Sequence, residues 1–134
     1  MTEALNFFQS ILTFRSRAPR RPDRAERELV RMLGDEAREL ARKAAAEREN
    51  GRTTEALAAD PANAEKARVF AGITLWHNER AAEKYRRAAA RYDEAARIKT
   101  GRRRAFRALA AEMTRRAAEA AAAAEKTNQF LTRK

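Results

Sequence analysis

Arg80, Lys84, Arg87 and Arg91 stand at i, i+4, i+7 and i+11, so on a helix they share one face. Arg102, Arg103, Arg104 and Arg107 follow as a second basic cluster, and Arg15, Arg17, Arg20 and Arg21 occupy an acid-free arm over residues 15–22. Guanidinium and ammonium groups spaced in this way can hold phosphate, either of lipid headgroups or of a nucleic-acid backbone. The plainer reading is a solvated helix face with Glu79, Glu83 and Glu94 as local partners.

Residues for bond-making chemistry are scarce. His77 is the only histidine, and no repeated Glu–His spacing gives it companion metal ligands. Ser10 and Ser16 have no neighbouring base, and no glycine-rich loop follows a strand-like run. Cysteine is absent, which removes disulfides and thiolate sites. The expectation is a non-enzymatic protein with no cofactor, no metal site and no catalytic residue.

The 134 residues carry 30 Lys+Arg against 19 Asp+Glu, a formal charge of +11. The excess is uneven: residues 23–50 are close to neutral, whereas 101–134 hold nine bases and three acids. Such a balance favours anionic partners. Alanine dominates, and only 4 Gly and 3 Pro interrupt it, so the chain is expected to be all-α. No apolar run approaches the roughly 20 residues of a membrane span.

These groups must be positioned by long helices. Asp23 caps a helix expected to run to about Asn50-Gly51, with Leu29, Leu33, Ala37, Leu40 and Ala44 as its seam and Gly34 as a weak spot. Residues 51–59 read as a connector. Asp60-Pro61 then opens a rod, and Thr100-Gly101 closes it with glycine in the left-handed position. That bracket spans roughly 40 residues, about 60 Å. Its seam is Ala67, Phe70, Thr74, His77, Ala81, Ala88, Tyr92 and Ala95, and heptad-spaced alanines predict close helix pairing. A last helix spans about 102–128 with Phe106, Leu109, Met113, Ala117, Ala120 and Ala124 as its seam. The expected fold is a long antiparallel helical hairpin with a further C-terminal helix, over residues 23–134. Trp76 reads as a packing residue, and Phe70, Leu75, Trp76, Ala81, Ala88 and Tyr92 as contacts between copies in a homo-oligomer.

Residues 1–14 are a short amphipathic segment whose apolar side is Leu5, Phe7, Phe8, Ile11, Leu12 and Phe14. It could dock on the hairpin, insert into a membrane interface beside the arginine arm, or serve with that arm as a mitochondrial transit peptide.

The stretch Asn63-Ala-Glu-Lys-Ala-Arg-Val-Phe-Ala71, with Asn78-Glu79, Arg87-Ala-Ala-Ala-Arg-Tyr-Asp93 and Ala96-Arg-Ile-Lys-Thr100, resembles the second core helix of ESCRT-III proteins of the charged multivesicular body protein 1 type. The likeness covers residues 55–100. It implies a helical hairpin that polymerises on membranes and remodels them without enzymatic activity. It also implies a cytoplasmic, peripheral-membrane location, and membrane-facing roles for the Arg80–Arg91 stripe and the apolar N-terminal residues. The acidic C-terminal region of that family has no counterpart before Lys134. Pieces of 51–64 are similar to tetratricopeptide repeats, but no period of ~34 residues is visible. A basic structural subunit bound to RNA or DNA, or a helical protein–protein adaptor, is the alternative.

Overall fold

The computed structural model describes residues 22–98 and 101–133. The expected N-terminal amphipathic helix at 1–14 and the arm at 15–21 lie outside the described residues. The described residues form three long helices, α1 (Arg24–Ala59), α2 (Ala67–Arg97) and α3 (Arg103–Thr132), with a 3₁₀ turn at Pro61–Lys66 between the first two. They run up, down and up. Pairings such as Glu36 with Arg91 and Thr54 with Thr74 set α1 antiparallel to α2. Tyr92 with Phe106 and Arg68 with the Leu131 carbonyl set α3 antiparallel to α2. The all-α hairpin with a further helix is therefore the observed architecture, with α2 between its two neighbours.

The start of α1 follows from its sequence. The Asp23 carboxylate accepts from the Glu26 N–H at 2.8 Å, and Glu26 accepts from the Asp23 N–H at 3.4 Å, which completes a capping box. The end of α1 does not follow. The helix passes through Asn50-Gly51 and continues to Ala59. Thr53 and Thr54 turn their hydroxyls back onto the Glu49 and Asn50 carbonyls. Gly51 is buried and meets α2 instead of ending a helix. A Cβ there would stand 2.6 Å from the Asn78 Oδ1, so the backbone approaches as only glycine allows.

Asp60 and Pro61 do open a new element. The Asp60 carboxylate accepts from the Ala62 N–H at 2.9 Å with proline at the first position. That element is a tight 3₁₀ turn with a kink at Asn63, and the α-helix proper begins at Ala67. It runs unbroken through Gly72, and its 31 residues span about 46 Å. It stops at Ile98, whose backbone is extended at φ −82°, ψ 125°. The expected left-handed glycine stop at Gly101 is not used: no described glycine has positive φ.

The core is thin and alanine-rich. Of nineteen buried apolar residues among those described, thirteen are alanine. That composition lets helices approach closely but removes little area per contact from water. Larger groups gather at one end, where Val30, Leu33, Tyr92, Phe106 and Met113 pack, and the Tyr92 and Phe106 rings stack at 6.2 Å. Having two neighbours, α2 buries three adjacent heptad columns: Ala71, Asn78, Tyr85, Tyr92; Thr74, Ala81, Ala88, Ala95; and Ala82, Ala89, Ala96. A single seam drawn through Ala67, Phe70 and His77 therefore runs to one side, and those three are only partly buried. Leu29 and Leu109, expected in seams, are 47% and 39% exposed, and Val30 and Ala110 take their places.

Candidate anion-binding site

The basic stripe of α2 meets carboxylates of α1. Glu47, near the middle of α1, accepts from Lys84 Nζ at 3.2 Å, Arg80 Nε at 3.3 Å and His77 Nδ1 at 2.7 Å. Burial pushes the Glu47 carboxyl up, but hydrogen bonds from His77, Lys84 and Arg80 outweigh it and hold the group down at about 2. Arg91 Nε lies 3.0 Å from Glu36 and its Nη1 3.1 Å from Glu94. Three members of the expected anion stripe are thus spent on tying α2 to α1, and only Arg87 is exposed with no ion pair among the described residues. The expectation of an open stripe is corrected accordingly.

Two further polar contacts sit on the same interface. Arg48 Nη1 donates to the Asn78 Oδ1 at 2.9 Å, and the Thr54 and Thr74 hydroxyls pair at 2.7 Å. Asn78 and Thr74 are fully buried, so these contacts fix the register of α1 on α2. Neither Glu36 and Glu47 nor Arg48 was singled out in the sequence. A signal does exist: Glu36 and Glu47 are spaced as Arg80 and Arg91 are, which an antiparallel pairing brings into coincidence.

The residues assigned to contacts between copies are split. Ala81, Ala88 and Tyr92 are buried in the chain's own interior and cannot meet a neighbour in this fold. Phe70 and Leu75 are half-buried. Trp76 is 53% exposed and so does not serve as a core packing residue. The Arg80 guanidinium lies over its ring at 4.5 Å, and His77 meets its edge at 4.9 Å. Val69 and Ile73 are exposed on the same outward side of α2.

The second basic cluster has different surroundings. Arg102, Arg103, Arg104 and Arg107 lie at the start of α3, beside the end of α2 at Arg97 and the start of α1 at Arg24. Arg24, Arg97, Arg103, Arg104 and Arg107 are exposed and have no ion pair among the described residues. Arg102 stacks over the Phe106 ring at 5.4 Å. No side chain caps α3, and its first turn contains no acid. Bases at this end oppose the positive pole of the helix dipole, so the segment is electrostatically unfavourable as it stands. An anion would relieve it. Arg15, Arg17, Arg20 and Arg21 and the apolar residues Leu5, Phe7, Phe8, Ile11, Leu12 and Phe14 lie outside the described residues. The chain connects them to this same pole, because Pro22 leads into α1 there.

Among the described residues, no three His, Cys, Asp or Glu side chains converge as a metal site, and no helix is long and apolar enough to cross a membrane. Fold and site together define an all-α protein with a neutralised waist and a cationic pole. No family model matches the chain, and neither a curated protein nor a solved structure shows significant similarity to it.

Proposed function

We propose that this is a non-enzymatic, peripheral membrane protein that rests its basic pole on anionic lipid. The observation that carries the reading is the concentration at one end of the bundle of exposed arginines, Arg24, Arg97, Arg103, Arg104 and Arg107, that have no ion pair among the described residues, when the arginines of the α1–α2 seam are matched by carboxylates. Each base near an anionic surface contributes about 1 kcal/mol. In the sequence the apolar residues of 1–14 are followed by the arginine arm and then by α1, and an apolar segment beside bases suits an interface of anionic headgroups. That apolar segment, next to the arginine arm in the sequence, is what favours lipid over nucleic acid.

Remodelling by self-assembly, the further step implied by the ESCRT-III resemblance, belongs to the same proposal. A neighbouring copy would meet the outward face of α2, where Val69, Ile73 and Trp76 are exposed, since the alanine columns are already occupied. Flotation of the full chain with vesicles tests the reading. Binding to vesicles containing anionic lipid, weakened by salt and by deletion of residues 1–14, is expected. Salt-steep binding to RNA or DNA with no vesicle binding would move the conclusion to a nucleic-acid subunit.

A further inference from the structure

The outward side of α2 carries a heptad pattern of its own. Val69, Ile73, Trp76, Arg80, Glu83 and Arg87 follow one another at alternating steps of four and three. All six are exposed, on the side of the helix turned away from its buried columns. The first three are apolar and are 63%, 38% and 53% exposed; the last three are charged. We infer that this stripe pairs two copies of the chain, α2 against α2, antiparallel about a twofold axis near residues 81 and 82. The resulting dimer carries a cationic pole at each end. The inference rests on the contact between copies proposed for this face, and adds its symmetry, its register and the residues that set them.

The charge pattern is complementary to itself. With that axis, Arg80 faces Glu83 of the second copy, and by symmetry Glu83 faces Arg80. On the flank toward α3, where Glu79 and Arg86 line one shallow pocket with α3 residues, Glu79 faces Arg86 of the second copy. Trp76 faces Arg87, and Ile73 faces Ala90. Glu79, Glu83, Arg86 and Arg87 are all exposed and have no ion pair within the chain among the described residues, although Glu83 and Arg87 stand one turn apart. Arg80 donates to Glu47 through Nε, which leaves its terminal nitrogens for a second carboxylate.

The same pattern opposes the alternatives. Sliding one helix by a heptad sets Glu79 on Glu79 in one direction and Arg86 on Arg86 in the other. A parallel pair sets Arg80 on Arg80 and Glu83 on Glu83, and brings the two cationic poles together. Flanking charges select register and orientation in this way, both by matching one arrangement and by penalising the others. Exposed ion pairs add little affinity, so the ring supplies the anchor. Trp76 already holds the Arg80 guanidinium at 4.5 Å, and in the pair it is covered from the other copy by Arg87.

A charge exchange tests the inference. Sedimentation equilibrium of the full chain should show a monomer of 15.2 kDa exchanging with a species of twice that mass, favoured by concentration and weakened by salt. Glu79→Arg and Arg86→Glu should each weaken the dimer about tenfold, since each repels its own copy. Their equimolar mixture should recover it, since the two complement each other. Trp76→Ala should weaken the dimer at least as much, with no recovery in such mixtures. The chain has no cysteine, so introduced ones report alone. Under oxidation, Ile73→Cys mixed with Ala90→Cys should form the mixed disulfide in preference to either symmetric one. In the lipid arm, the full chain should float with anionic vesicles and cluster them. Glu79→Arg should float at least as well but cluster less, and adding Arg86→Glu should restore clustering. A monomer at every concentration, a mixture no better than either variant alone, a dominant symmetric disulfide of Ile73→Cys, or clustering indifferent to Glu79→Arg would overturn the pair. Flotation by a chain that stays monomeric would leave the membrane reading standing without it. Recovery in the mixture with no flotation would uphold the pair and remove the membrane reading.

Discussion

Arginine plays opposite parts at the waist of this bundle and at its pole. At the waist, Arg80, Lys84 and Arg91 project from α2 toward α1 and find Glu47 and Glu36. At the pole, Arg97 at the end of α2 and Arg103, Arg104 and Arg107 at the start of α3 are exposed and have no ion pair among the described residues. The residue type does not decide the role. What decides it is whether the neighbouring helix presents an acid at the same height. The waist uses charge to fix register between helices that bury little more than alanine. The pole holds its charge facing solvent, and for Arg103, Arg104 and Arg107 that is the unfavourable end of the α3 dipole, where the charge lowers stability and can serve an external anion.

The comparison can be sharpened by removing one element at a time. The largest effect on stability is expected from Glu47→Ala, which leaves His77, Lys84 and Arg80 without their common acceptor. A loss of ~2–4 kcal/mol in urea unfolding is expected. The same group sets a pH dependence. Its folded pKa lies at about 2, below the usual carboxylate range, so its contribution is complete above about pH 4.5 and is lost as pH falls toward 2. Acid unfolding curves of Glu47→Gln should lack that component. Next comes Gly51→Ala. Helix propensity alone would stabilise it by roughly 0.5–1 kcal/mol, but the Cβ meets Asn78, so a net loss of ~1–3 kcal/mol is expected. A gain would show that α1 and α2 sit farther apart. Trp76→Ala removes an exposed ring and one cation–π contact, and should cost no more than ~1 kcal/mol. Smallest is Arg103→Glu, which should raise stability by a few tenths of a kcal/mol by placing an acid in the first turn of α3.

How much of this was legible in the sequence depended on whether the cause was local. The start of α1 was legible, because Asp23 and Glu26 make their capping box within one turn. The break at Asp60-Pro61 was legible for the same reason. Gly51 was misread as an end, because its cause is Asn78 on another helix. The phase of the seams was off by one residue at Leu29 and Leu109. In helices this rich in alanine, small residues lie on every face, and a lone leucine does not fix which side is inward. The basic cluster Arg102–Arg107 was named from sequence. Its convergence with Arg24 and Arg97 required the up-down-up path, and the neutralisation of the α2 stripe required the register of α1 on α2. No local pattern records either.

The proposed preference for an anionic partner is assigned to the location of the charge and not to its total. It is tested most directly by co-flotation of two triple variants with vesicles containing anionic lipid. Arg103→Glu, Arg104→Glu, Arg107→Glu reverses the pole, and Arg42→Glu, Arg52→Glu, Arg86→Glu makes the same change of net charge away from it. The account predicts at least a tenfold loss of binding for the first, with unchanged helicity, and less than a threefold loss for the second. Equal losses for the two would contradict it.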